Sequence, residues 1–443
     1  MTVKQTMPLR TKPTRISASP LGNVASILKV FRYLGAYPLT VSLPSSGDPL
    51  DITLSHSPWR TAVQCLVLLL LGWSQNLLLT PVFIRHPSLA FSVLMSLPGI
   101  TNFDLAVIFT IPLFSLVSVG FILTFTAKNR GELASLSRAL TQLSGHCNTN
   151  KISEASKRSA LYQWKVFFGL GMCTSVCLLS HSYNAYVPLF SDMEPVLTYL
   201  ALAAVPLTVN CAVLNPIINV GFFNVSYFVQ YLSGHFTNLA ARFEATAKTG
   251  LNGKNKVAII AFGKARVGPA DSGLHDDDDF DALLEIGLSL CDVGKQVDRV
   301  FGPTMFVIFV QNILICIAAL FATSGLLFGE SINWSMVAFC ATYFCVVLVY
   351  ALMVNYACNM GQGLESARLE VRARLEQSVA VSAARLTGRQ KFKAEILAGR
   401  LEAFGTFRPL AYFEMNHPTN LSGIHTMVTY LIVLMQFKVS GSG

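Results

Sequence analysis

Long, nearly unbroken apolar blocks recur along this chain, and they fix its solvent before any other feature is considered. Six of them, residues 61–83, 103–127, 164–186, 196–220, 301–328 and 334–358, reach the roughly 20 residues that a helix needs to cross a hydrocarbon core. In lipid every backbone N–H and C=O must find an internal partner, which leaves helices or a closed barrel. Barrel strands alternate apolar and polar residues, whereas runs such as 66–71 are apolar at every position. Helices are therefore the only fit. The 13% of charged residues is about half the share of a soluble domain and agrees with this. A seventh block, 425–437, has 13 residues, about 20 Å of helix.

Charge placement orients the spans. Lys and Arg accumulate in cytoplasmic loops, and 30 of the 33 lie in 1–60 and in the alternate loops that share its side, with Lys165 at the start of the third block on that same side. This predicts a cytoplasmic amino terminus, an extracellular carboxy terminus and a multi-pass protein of the plasma membrane. The first 60 residues are polar and basic, without the apolar core and small-residue cleavage site of a signal peptide. The net charge of +9 faces anionic headgroups beside the spans, which argues for membrane lipids as partners and against nucleic acid.

The segments divide as 1–60 (cytoplasmic), 61–230 (spans one to four), 231–300 (cytoplasmic), 301–358 (spans five and six), 359–424 (cytoplasmic), 425–437 (seventh helix) and 438–443 (external tail ending in a linker-like Gly441-Ser442-Gly443). In 280–300 apolar residues recur at helical spacing (Leu283, Ile286, Leu290, Val293, Val297) and lead into the fifth span. In 359–424, Glu370 and Arg374 stand one turn apart on a charged helix. Both patterns predict spans that continue as helices into the cytoplasm and pack on one another. The acidic run Asp276–Asp279 lacks the spaced ligands and turn glycine of a calcium loop and reads as a solvated linker. Cys173 and Cys177, one turn apart with no histidine partners, read as packing residues, so no metal or cofactor is expected.

The seventh block ends Thr429-Tyr430-Leu431-Ile432-Val433-Leu434-Met435-Gln436-Phe437. Thr429 and Gln436, seven residues apart, share a helix face with Val433 between them. A polar stripe in a membrane faces protein or water. Thr-Tyr, five hydrophobic residues and Gln-Phe near the carboxy terminus resemble the signature of the arthropod gustatory receptors, which are related to insect odorant receptors. The seven spans, the internal amino terminus and the short last helix resemble that family too.

The resemblance implies an all-α, seven-transmembrane-helix subunit of a homotetrameric cation channel, with possible co-assembly with related subunits. Helices extended into a cytoplasmic anchor domain would hold the tetramer, and the short last helix would line its central pore. Gln436 and Phe437 would stand at the pore and gate, with Val433 and Thr429 on the same helix. It also implies a pocket for an external small-molecule tastant among the outer halves of the spans. There this chain offers His181, Tyr183, Asn184 and Tyr186, then Tyr199, then Trp334, Phe339 and Tyr343. Aromatic faces with a few hydrogen-bonding groups suit sugars and planar bitter compounds alike. Leu431 stands where many sugar receptors carry an acid, so the ligand class stays open.

Two other classes share features with the chain. A G-protein-coupled receptor has seven spans but an external amino terminus, opposite to the charge split. A secondary transporter could use Asn210, Asn215, Pro216 and Asn219 as a broken helix, but the unequal loops show no internal repeat. No set of residues suited to enzyme catalysis shares one membrane face.

Overall fold

The computed structural model describes residues 20–33, 37–42, 53–59, 61–63, 66, 117–144, 149–186, 194–251, 275–327, 334–405 and 407–441. Most of the first two expected spans therefore lies outside the described residues. The elements in chain order are α1 (Pro20–Tyr33), the hairpin strands β1 (Leu39–Ser42) and β2 (Thr53–His56), α2 (Val117–Lys128), α3 (Arg130–Ser144), α4 (Thr149–Tyr186) and α5 (Glu194–Leu251). They continue with α6 (His275–Leu327), α7 (Trp334–Ser382), α8 (Gly388–Phe404), a 3-10 turn (Pro409–Ala411) and α9 (His417–Gly441).

Four helices are far longer than a membrane requires. The 58 residues of α5 span about 87 Å and the 49 of α7 about 74 Å, against a hydrocarbon core of roughly 30 Å. The third to sixth expected spans are thus the apolar parts of continuous rods, as the return of helical spacing after residue 280 predicts. Among the described residues one stretch, Asp279–Phe321 of α6, is long and apolar enough by itself to cross a membrane. Its first 21 residues carry the charges, and its apolar part starts at Val300.

α5 is the centre of the packing, flanked by α4, α6 and α7. Phe222, Phe223, Tyr227, Phe228, Tyr231, Phe236 and Phe243 are each almost wholly buried along it, worth roughly 1.5–3 kcal/mol apiece for the large apolar side chains. Between α4, α5 and α7, the Tyr356 hydroxyl meets Ser226 at 3.1 Å and accepts from the Gln230 amide, inside an aromatic nest of Phe167 and Phe222.

The amino-terminal segment contains structure the polar reading did not anticipate. Leu21, Val24, Leu28 and Phe31 form a buried stripe on α1, and Phe31 packs on Trp164 and Phe223 with ring centroids 4.9 and 5.6 Å apart. Tyr227 donates to the Pro20 carbonyl at 3.1 Å. Behind α1 the hairpin pairs Leu39 with His56 in antiparallel register.

At the charged end of the bundle α8 lies along α6. Lys393 contacts Asp281 and Glu285 at 2.7 and 2.8 Å, Arg400 contacts Asp292 at 2.9 Å, and the Arg408 amide reaches Asp298 at 3.4 Å. The partners stay 108–112 residues apart, so the two helices run parallel and in step. Glycines make the close approach possible. A Cβ on Gly287 would lie 2.6 Å from Leu397, and one on Gly294 would overlap the Phe404 ring. The expected Glu370–Arg374 pair forms at 4.0 Å, and Arg374 also reaches Glu244 of α5 at 3.4 Å. Cys173, expected to pack, is exposed on α4 without a disulfide.

Candidate functional site

α9 runs His417–Gly441, 25 residues, so the 13-residue apolar block is extended by polar turns at both ends. Its start lies within 359–424, the segment expected to form cytoplasmic anchor helices. Asn416 begins it: the side-chain oxygen accepts from the Thr419 N–H at 3.1 Å and from its hydroxyl at 3.0 Å, satisfying one of the open amides of the first turn. Asn420 then donates to Asn355 of α7 at 2.9 Å. Such an amide pair between helices fixes their relative height.

One narrow face of α9 packs on its own subunit. Gly423 faces Ile313 and Phe309 of α6, Met427 is buried with Cys316 and Ile317, and Leu434 lies against that cluster. Matching numbers rise together on α6 and α9, so these two run parallel. Asn420 pairs with Asn355, and the Met427 cluster takes in Val347 and Tyr350, so α7 runs antiparallel. At about 100° per residue, Thr429, Val433 and Gln436 lie on the side of α9 opposite Met427. All three are exposed, as are Leu421, Ile424, Val428, Tyr430 and Ile432. The side chain of Phe437 lies outside the described residues. More than half the girth of this apolar helix is left uncovered by the described residues of its own subunit.

The ligand candidates fall on the described backbone, but their side chains lie outside the described residues. His181, Tyr183, Asn184 and Tyr186 end α4, Tyr199 is in the second turn of α5, and Trp334, Phe339 and Tyr343 begin α7. Short links join α4 to α5 and α6 to α7, so these ends share one end of the bundle. Continuing the α7–α9 register places Gln436 at the level of Phe339. The topology thus brings the candidate ligand segments and the end of the candidate pore helix to the same height.

The approach to α9 was not legible as a site. Gly405, at φ 64°, closes α8, and the Phe407 carbonyl accepts from the Met415 N–H at 3.0 Å, closing the segment between them into a loop. Inside it Arg408 pairs with Glu414, and Phe413 packs on Phe309 with ring centroids 4.7 Å apart. Leu410 and Ala411 hold left-handed φ values of 53° and 59°. Arg368 of α7 is buried and donates from Nη1 to the Leu401 carbonyl in the last turn of α8. Burial holds its pKa below the ordinary arginine value. Burial also raises the Asp298 carboxyl to about 7, against the lowering pull of the Arg408 N–H and charge. Burial, aided by Arg242, lowers His235 to about 4. The Asn416-to-Thr419 spacing, a capping pattern, was the one available sequence signal for where α9 starts.

The profile of a family described as 7tm chemosensory receptor matches residues 24–441. No curated protein matches the chain by sequence. Among solved structures, the chain resembles the insect olfactory receptor OR5 from Machilis hrabei in complex with eugenol. The TM-score is 0.58 at 13% identity, covering 94% of this chain and 97% of the other. The structure of the same receptor described without eugenol gives a TM-score of 0.55 at 13% identity, with the same coverage. This likeness is one of fold: a mostly helical chain built on long spans, as the apolar blocks predict.

Proposed function

This chain belongs to the 7tm chemosensory receptor family, a receptor family and not an enzyme family, and on that premise we propose that it is a taste-receptor subunit forming a ligand-gated, non-selective cation channel. The observation that carries this reading is the uncovered face of α9, where Thr429, Val433 and Gln436 stand opposite the packed Gly423–Met427–Leu434 side. Four copies around an axis would turn those faces inward and bring Gln436 and Phe437 into rings. A ring of aromatic side chains closes a pore by dewetting, and a ring of amides lines the path of a permeating cation.

The stimulus is a small external organic molecule, a sugar or a bitter-type compound, bound where the end of α4 and the start of α5 meet the start of α7. The charge split places the amino terminus in the cytoplasm and the carboxy terminus outside, and the parallel α6–α8 unit in the cytoplasm as part of an anchor. The assembly is a homotetramer, with mixed assembly with related subunits as the variant.

The test is recording from cells expressing the full chain while applying mono- and disaccharides and then alkaloids such as caffeine. A reversible cation current with at least one of them, absent from untransfected cells, is the expected result. No current to either class, with the protein shown at the surface, refutes the reading for the chain acting alone.

A further inference from the structure

The segment between α8 and α9 is gripped from two sides. On α7, Arg368 donates to the Leu401 carbonyl and lies 3.5 Å from that of Glu402, so a buried cation sits at the α8 carboxy end, where carbonyls lack helical partners. Two turns earlier on the same face, Gly361 meets the backbone of Met415. A Cβ there would come within 2.6 Å of Met415 Cβ and closer still to its carbonyl oxygen. On α6, Asp298 accepts from the Arg408 N–H at 3.4 Å, and a Cβ on Gly302 would lie 3.3 Å from the Leu410 nitrogen.

The gripped segment is also strained. Among the described residues, Leu410 and Ala411 are the two non-glycine residues with positive φ. Residues with a Cβ adopt that region at a cost and keep it where the surroundings over-determine the backbone. Here the surroundings are two long rods. α6 and α7 reach from this segment to the end of the bundle that holds the candidate ligand residues, and neither is interrupted.

We infer that residues 407–416 form a strap that sets the balance between the closed and open channel, with Gly361 and Arg368 as its positioning residues. A shift of α7 or α6 reaches α9 through the Gly361–Met415 and Asp298–Arg408 contacts. The strained turn offers a second arrangement to which the strap can relax. The inference rests on the channel reading above and adds where coupling to the gate occurs.

Two substitutions of opposite sign test it. Gly361→Ala drives a methyl group into the Met415 backbone, which cannot yield as a side chain would, and disfavours the described arrangement. Ala411→Gly removes the left-handed cost at an exposed position and favours it. In single-channel recording of the full chain without ligand, the open fraction shifts in opposite directions in the two variants. Each shift is about fivefold or more, and unitary conductance is unchanged. Shifts in the same direction, or a change of conductance alone, overturn the strap.

A second readout does not depend on current. Hydrogen–deuterium exchange on the purified full chain compares the parent with Arg368→Gln and Arg368→Lys. Exchange at 407–420 quickens about fivefold or more in Arg368→Gln, is partly restored in Arg368→Lys, and is unchanged in the first turns of α8. Unchanged exchange at 407–420 overturns the inference. A parent chain that passes no current removes the channel reading, and the exchange result then decides the strap by itself.

Discussion

Replacing Gly294 by alanine probes the seam between α6 and α8 with the smallest change that chemistry allows. The added Cβ would overlap Cζ and Cε2 of Phe404 and stand 3.2 Å from Cε1. The ring has little freedom to move. It is buried, it is backed by Phe236 with ring centroids 6.1 Å apart, and it belongs to the last residue of a helix whose end is held by Arg368. Forcing one extra carbon into such a contact costs about 1–3 kcal/mol. At about 2–4 °C per kcal/mol, the melting midpoint falls by about 2–12 °C. Phe404→Leu removes three carbons from the same contact and costs about 2 kcal/mol alone. In the double variant the smaller side chain makes room for the methyl, so the combined loss falls short of the sum by about 1 kcal/mol or more. The assay is thermal melting of the detergent-purified protein followed by size-exclusion fluorescence, for the parent, both single variants and the double. Additive losses would show that the methyl does not meet the ring, and the parallel seam described here would be wrong.

At the pore, Phe437→Ala is expected to raise current without ligand, whereas Gln436→Ala changes conductance or gating more than surface expression. Patch recording paired with surface labelling separates the two, and parental behaviour of both would move the pore to another helix. Epitope tags on intact cells should be reached by antibody at the carboxy terminus and only after permeabilisation at the amino terminus. pH adds a signed test. His235, lowered to about 4, lets the unfolded chain take the proton first below about pH 6.5, so its contribution to stability is lost as pH falls from there towards 4. Asp298, raised to about 7, works the other way, and its contribution is lost as pH rises from about 4 to 7. Relative to the parent, melting of Asp298→Asn should therefore drop more on acidification, and melting of His235→Gln should drop more on going from pH 4 to 7.

The spans and their continuation were readable because lipid and buried interfaces both demand apolar residues at fixed periods. Leu283, Ile286, Leu290, Val293 and Val297 announced a buried stripe, and all five are buried. The face of α9 was readable for the same reason, from Thr429, Val433 and Gln436. α1 carried an equally regular stripe, but it is a short helix inside a basic, proline-containing segment, and composition masked it. The grip on the 407–416 segment left no periodic trace. It depends on Gly361 and Met415, 54 positions apart, and on an arginine whose partners are backbone carbonyls, which have no letter in the sequence. The glycine seam gives only a spacing of seven, Gly287 to Gly294, that acquires meaning once Leu397 and Phe404 are known to face it.

The length of the rods bears on how the protein finds its depth in a bilayer. α5, α6 and α7 each pass from apolar to charged sequence without a break, so none offers a ledge at the inner water boundary. Depth is then governed by side-chain chemistry along smooth cylinders, which a thinner or thicker membrane can slide or tilt at fractions of a kcal/mol per Å. α1 packs on two of the rods, through Phe31 on Trp164 of α4 and Phe223 of α5. A helix pinned to both α4 and α5 resists the sliding of one against the other, so a change in lipid thickness has to be met by the two rods together.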